Sequence, residues 1–265
     1  MTSEEPVIVL KDLKKTYDGK NYVLQNINLN ILPGQIIGYI GPNGAGKTTT
    51  VKIIIGMLPQ FEGSVHVLGT DMAKNPIEIK RHIGYVPETA ALYDTLTPEE
   101  YLRFLGQIYE LPEQKVSKRI EDMLGLFDLR DVRQTRMSSF SKGMKQKILI
   151  IAAMMHDPDI LFLDEPLSGL DANTALIIKE ILSQLAQRGK TIFYCSHVMD
   201  VVERICDRII IIDKGTIIAD GPFEELQAMD KEASLERIFT RLTGSSGHDR
   251  IAGEFISAFD EEEQG

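Results

Sequence analysis

Between an apolar run, Ile36 to Ile40, and a helix-forming run that begins near Lys47 lies the octapeptide Gly41-Pro42-Asn43-Gly44-Ala45-Gly46-Lys47-Thr48. It fits the pattern G-x-x-x-x-G-K-[ST] of a phosphate-binding loop. The glycines let the backbone wrap tightly and turn its N–H groups inward, through conformations that side chains would obstruct. Those amides and the N-terminus of the following helix form a site for polyphosphate. In such a loop Lys47 reaches the β- and γ-phosphates, the Thr48 hydroxyl binds Mg²⁺, and Thr49 extends the nucleotide-contacting run. The chain is therefore expected to bind a nucleotide on a strand–loop–helix unit.

The flanking segments read as the rest of a sheet. Strands are predicted at Val7 to Leu10, Val23 to Leu32 and Ile36 to Ile40, with turns at Asp18-Gly19 and Pro33-Gly34. The helix after the loop runs to about Gly56, and a β-rich stretch follows around Gly63 to Leu68. From Glu88 to Pro158 the pattern turns helical. Thr97 is placed as N-cap, Pro98 at N1 and Glu100 at N3 of a capping box. A second helix is expected over Glu113 to Phe127 and a third over Lys142 to His156, stopped by Asp157-Pro158. Strands resume at Ile160 to Leu163, Thr191 to Cys195 and Arg208 to Ile212, with a helix from about Ala172 to Arg188 ending at Gly189. Near-continuous apolar strands alternating with helices imply a buried parallel sheet. Phe223 to Leu242 reads as one or two amphipathic helices, and Asp260 to Glu263 as a frayed acidic end.

Composition narrows the setting. At 43% hydrophobic and 26% charged residues the chain is ordinary for a globular protein. Its net charge of −10 argues against broad nucleic-acid binding, which needs a basic footprint. A local basic patch at Lys142, Lys145 and Lys147 remains compatible with that. The longest apolar run, Ile148 to Met155, is eight residues, far short of a bilayer span, so no transmembrane segment is expected. The acidic, polar start of the chain is no secretory signal, and Thr2 in place of glycine excludes myristoylation. Cys195 and Cys206 lack metal-site spacing and read as buried thiols in a reducing cytosol.

A second motif complements the loop. Ile160-Leu161-Phe162-Leu163-Asp164-Glu165 is an apolar strand ending in two carboxylates. Asp164 is placed to hold Mg²⁺ through its water shell, and Glu165 to act on the attacking water as general base or water-positioner.

Further motifs, in order along the chain, resemble those of ABC-type ATPases. Ser141-Lys142-Gly143-Met144 is similar to the L-S-G-G-Q signature, Ser168-Gly169-Leu170-Asp171 to the D-loop, and His197 to the switch histidine. Tyr17 stands where that family places an aromatic to stack on adenine. The resemblance spans residues 17–197. It implies ATP as substrate with Mg²⁺ and a head-to-tail dimer that buries two ATP molecules. Each ATP would meet Lys47, Thr48, Asp164 and Glu165 of one subunit and Ser141, Gly143 and Asp171 of the other. A helix N-terminus supports such a role for Ser141, although Ser141 also reads as a plain N-cap. His197 would hydrogen-bond the γ-phosphate and keep Glu165 oriented.

The implied fold class is α/β. It comprises a P-loop ATPase core of mostly parallel sheet, an N-terminal antiparallel β subdomain and an inserted α-helical subdomain. The ATPase domain is placed at 1–225, with core 1–87 and 159–225 and helical subdomain 88–158. A helical extension and acidic tail fill 226–265.

Two positions depart from the family pattern. After Gly84-Tyr85-Val86-Pro87 the family usually has Gln, whereas this chain has Glu88. An ionised carboxylate only accepts hydrogen bonds and adds negative charge beside Asp164 and Glu165, yet it could ligand Mg²⁺. The site is thus expected to require Mg²⁺-bound nucleotide more strictly than a Gln-bearing one. Glu88→Gln should relax the Mg²⁺ dependence of ATP hydrolysis, and an unchanged dependence would refute this. The second departure is in the signature, with Lys142 for Gly and Met144 for Gln. Lys142 reads either as a γ-phosphate contact or as a solvated lysine at the rim.

Within the family, a single cassette without a membrane span usually pairs with separate membrane subunits. Pro87-Glu88 and Ser141-Lys142-Gly143-Met144-Lys145-Gln146-Lys147 resemble ATPases paired with export-type permeases. The resemblance implies the ATP-hydrolysing subunit of an exporter on the cytoplasmic face of the membrane, touching a multi-span permease through Glu88 to Tyr93. Two competing classes are a soluble ABC ATPase acting on ribosomes, DNA or cofactor assembly, and a nucleotide-dependent binding module that scarcely hydrolyses ATP. Glu165 and His197 argue against the second.

Overall fold

A computed structural model describes residues 5–89, 92–228 and 234–244. Its strands are β1 (Ile8–Thr16), β2 (Tyr22–Ile31), β3 (Ile36–Ile40), β4 (Glu62–Val67), β5 (Thr70–Asp71), β6 (Ile83–Val86), β7 (Ile160–Asp164), β8 (Thr191–Cys195), β9 (Arg208–Asp213) and β10 (Thr216–Gly221). Its α-helices are α1 (Lys47–Ile54), α2 (Pro76–Lys80), α3 (Pro98–Ile108), α4 (Glu113–Leu126), α5 (Lys142–Met154), α6 (Ala172–Gln187), α7 (Met199–Ile205), α8 (Phe223–Gln227) and α9 (Leu235–Thr243). Ala90, Ala91 and the acidic end lie outside the described residues.

Two sheets organise these elements. One is antiparallel in the order β2-β1-β4-β5. The other runs β10-β9-β3-β8-β7-β6, parallel except for β10 at its edge. The fold is α/β with a mostly parallel sheet, an N-terminal antiparallel sheet and inserted helices, as the sequence implies.

Side chains alternate across a strand, so a sheet covered on both faces needs apolar residues at every position. In β8, Ile192 and Tyr194 face the helices, whereas Phe193 and Cys195 face the antiparallel sheet and α1. β9 divides in the same way, with Ile209 and Ile211 on one core and Ile210 and Ile212 on the other. That double burial explains the unbroken apolar runs.

Several boundaries differ from the sequence reading. β1 continues six residues beyond Leu10, to Thr16, through register shifts after Leu10 and Leu13. Asp12 there takes a positive φ of 50°. Such a bulge breaks the period of two on which a strand prediction rests. α2, α7, β5 and β10 were not anticipated, since each is short or polar. The Thr97 capping box forms with Glu100 as expected. Cys195 is buried, but Cys206 is half-buried rather than fully so, and both are free thiols.

The helical region joins the core at His156. Its ring stacks on Tyr109, the C-cap of α3, with centroids 3.7 Å apart and planes 2° from parallel, and its Nε2 lies 3.0 Å from the Ile83 carbonyl of β6. Burial lowers its pKa to about 4. In the unfolded chain the group returns toward its ordinary 6.5, so between these values the unfolded state binds more protons. Stability should therefore fall as pH drops from 6.5 toward 4, by about 1–2 kcal/mol from this group after allowance for its partial exposure. Thermal melts of His156→Phe should show a shallower decline over that window, and an unchanged slope would remove His156 as the cause.

Candidate functional site

Four neighbouring strands of the parallel sheet, β3, β8, β7 and β6, deliver their carboxyl ends to one cleft. Such an edge is where ligands bind in open α/β sheets. The cleft has a volume of about 570 Å³ and is lined by the whole loop from Gly41 to Thr49, with Glu88, Asp164, Glu165 and His197. The register of β7 on β8 sets Asp164 opposite Cys195, which puts Ser196 and His197 beside Glu165.

The loop owes its shape to local geometry. Gly46 precedes α1 at a φ of 109°, and a Cβ there would lie 2.6 Å from a Leu24 methyl, so only glycine fits. Lys47 folds back over the loop, its Nζ donating to the carbonyls of Gly41 at 2.6 Å and Pro42 at 3.2 Å. α1 starts at Lys47, so its unpaired N–H groups and positive dipole end face the cleft.

Glu165 is the most tightly held group. Ser196 Oγ donates to its Oε2 at 2.9 Å, and the His197 backbone N–H donates to Oε1 at 2.8 Å. The His197 ring Nδ1 also lies 2.7 Å from Oε1, which places the proton on Nδ1 and leaves Nε2 available to a ligand. Glu165 adopts a φ of 49°, a left-handed conformation that costs about 1 kcal/mol or more for a side-chain-bearing residue. The bonds around its carboxylate hold it there. His197 is 81% exposed and Glu165 only 13%. A fixed acceptor under an accessible imidazole suits orientation of a water molecule.

Asp164 is buried at the end of β7. Burial, then the charges of Glu88 and Glu165, raise its pKa to about 6. Together with the Thr48 hydroxyl these carboxylates form an all-oxygen set that suits a hard divalent cation. No cluster of three His, Cys, Asp or Glu side chains capable of holding a metal alone occurs among the described residues. Thr48, Asp164 and Glu88 would be the oxygen donors available to Mg²⁺ in this cleft, too few to hold it without further ligands.

The remaining candidates lie elsewhere. Tyr17 does not line the cleft, but its hydroxyl is 3.3 Å from that of Thr49, which does. Its ring is 62% exposed, with the Lys15 ammonium 5.1 Å from its centroid. Ser141, Gly143 and Asp171 are outside the cleft of their own chain. Ser141 caps α5 by accepting from the Met144 N–H at 3.2 Å. Asp171 caps α6, accepting from the N–H and hydroxyl of Thr174 at 2.9 and 2.6 Å, and these bonds keep its carboxyl below the usual range. Gly143 lies so close to the D-loop turn that a Cβ would be 2.6 Å from the Gly169 carbonyl. Lys142 is exposed, and its Nζ donates to Ser168 Oγ at 2.8 Å.

Two contributions escaped the sequence reading. Gln146 is buried in α5 and donates to the Pro166 carbonyl at 3.0 Å, tying the signature helix to the turn that carries Glu165. A polar residue two positions before the apolar run Ile148 to Met155 was the available signal. Glu236, Phe239 and Thr240 of α9 also line the cleft. Nothing local in the sequence marks them.

Comparison with known proteins agrees with this geometry. The family model described as ABC transporter matches residues 24–168. The ABC transporter ATP-binding protein NatA of Bacillus subtilis is 38% identical over 88% of this chain and 96% of its own length. The linearmycin resistance ATP-binding protein LnrL of the same organism is 40% identical over 82% of this chain and 69% of its own. A solved ATP-binding subunit of an ABC transporter superposes with a TM-score of 0.84 at 33% identity, covering 89% of this chain and 99% of that one. A dimeric ATP-binding cassette in a post-hydrolysis state with ADP and phosphate superposes with a TM-score of 0.75 at 28% identity, covering 81% and 98%.

Proposed function

We propose, because this chain belongs to the ABC transporter family, that it is the ATP-hydrolysing subunit of an exporter and drives a separate membrane permease. The observation that carries the reading is the meeting of the phosphate loop, Asp164, Glu165 and His197 in one cleft at the carboxyl ends of neighbouring strands.

The residues divide the work. The triphosphate lies along the loop amides and the start of α1, and draws the Lys47 ammonium off the Gly41 and Pro42 carbonyls onto the β- and γ-phosphates. Thr48, Asp164 and Glu88 would hold Mg²⁺, which would neutralise phosphate charge. Tyr17 stacks on adenine. Glu165 accepts the proton of a water that attacks the γ-phosphorus, and ADP leaves as the bridging P–O bond breaks. His197 keeps Glu165 aimed and offers Nε2 to the γ-phosphate.

Ser141, Gly143 and Asp171, which lie outside their own cleft, close the cleft of a second subunit in a head-to-tail dimer. ATP closes the dimer and hydrolysis reopens it. Gln146 links that movement to the Glu165 turn.

A second opening of about 330 Å³ between the core and the helical region supports the permease reading. Gly84, Tyr85, Tyr101, Leu105 and His156 line it. Tyr93, Phe104 and Ile108 of the helical region are exposed apolar side chains that a membrane partner would cover. No helix among the described residues is long and apolar enough to cross a membrane. From its membership of the ABC transporter family we place the chain peripherally, on the cytoplasmic face.

The test is to tag the chain, solubilise membranes of its native host in mild detergent and identify what copurifies. A stoichiometric multi-span membrane protein is expected. Recovery of ribosomes or soluble proteins alone would overturn the transporter assignment and leave the ATPase chemistry standing.

A further inference from the structure

One wall of the nucleotide cleft comes from neither the loop nor the acidic strand end. Glu236, Phe239 and Thr240 line it beside His197 and Met199. Their spacing of three and four residues sets them on one face of α9, while Leu235 and Ile238 are buried. α9 is fastened to α7, which begins two residues after His197. The Leu235 N–H donates to Glu203 Oε2 of α7 at 3.1 Å, and Ser234 caps α9 through the Arg237 N–H.

The charge on this wall is unusual for a polyphosphate site. Among the described residues, Lys47 is the one lining residue with a permanent positive charge, against the carboxylates of Glu88, Asp164, Glu165 and Glu236. Glu165 is engaged by Ser196 and His197, and Glu88 and Asp164 are assigned to the cation in the reading above. The Glu236 carboxylate has no hydrogen-bonding or ionic partner among the described residues. It therefore adds repulsion that no pairing among the described residues offsets.

We propose that Glu236 is a specificity-determining residue, through which the C-terminal helix disfavours free nucleoside triphosphate and selects its divalent-cation complex. This rests on the nucleotide-binding reading above. Coulomb repulsion scales with ligand charge, and free ATP carries about four negative charges where its Mg²⁺ complex carries about two. The effect of Glu236 on the logarithm of affinity is accordingly about twice as large for the free form. Screening by salt diminishes both.

The test measures the dissociation constant of ATP, in chelator and with Mg²⁺, for the full chain and for Glu236→Gln. Glu224→Gln, an exposed site on α8 away from the cleft, controls for net charge. At low salt Glu236→Gln should tighten free ATP about tenfold and Mg²⁺-ATP about threefold. Glu236→Lys should extend the same trend, and Glu224→Gln should change neither value. Equal affinities for Glu236→Gln and the parent chain, or one common factor in both media, would overturn the proposal. If the parent chain bound no ATP in either medium, the nucleotide reading itself would fall.

Discussion

Replacement of Glu165 by Gln should leave ATP binding intact and lower kcat by about 10²- to 10⁴-fold, the range that a positioned general base supplies. Gln matches Glu in shape, so its amide oxygen can keep the His197 contacts made to Oε1, while its NH2 group can donate to Ser196 Oγ in place of the bond that Oε2 accepted. What is lost is the capacity to take a proton from water. Phosphate release at saturating Mg²⁺-ATP measures the first effect. The second is an accumulated closed dimer in ATP, seen by size-exclusion chromatography. Because Glu165 is held at a positive φ, the variant's melting temperature must be checked beside its activity. A fully active Glu165→Gln enzyme would remove Glu165 as the base.

Loss of the Lys47 ammonium should weaken ATP binding rather than slow a bound complex. The ammonium rests on the Gly41 and Pro42 carbonyls, and those two contacts are all it must give up to reach the phosphates. A charge-assisted hydrogen bond contributes about 1.5–3 kcal/mol, and a triphosphate offers more than one. Lys47→Ala should therefore raise the ATP dissociation constant about 10²-fold. The expectation is sharpened by the cleft's other charges, since without Lys47 its described lining residues include carboxylates and no permanent cation. Titration with a fluorescent nucleotide would check this, and an unchanged affinity would show that the loop amides and α1 hold the phosphates without the ammonium. The two variants separate binding from chemistry, which one alone could not do.

Much of the architecture was legible because its determinants are local. The loop from Gly41 to Thr48 specifies its own turn, since only glycine tolerates the backbone at Gly46. The Thr97 capping box was readable for the same reason, as both its partners lie within one turn. Strands such as Thr191–Cys195 declared themselves through unbroken apolar runs, which burial on two faces demands. β1 was cut short because its bulge at Asp12 shifts the alternation partway along. β10 and α7 were missed because neither short element carries a strong period of its own.

The candidate site residues could be picked out in the sequence, and the family resemblance implied that His197 keeps Glu165 oriented, but the contacts that hold them together could not be read there. Sequence alone determined that a phosphate loop, two carboxylates after a strand and a histidine after another strand coexist in one α/β chain. Only the tertiary structure decided that Ser196 and His197 grip Glu165 across 31 and 32 residues, and that Gln146 reaches Pro166. The same holds for Lys142, which bonds to Ser168, and for α9, which forms a wall of the cleft. Local patterns follow from backbone conformation and burial within a few residues. Contacts between distant segments depend on strand order and register, which pairing across the whole sheet sets and no single segment encodes.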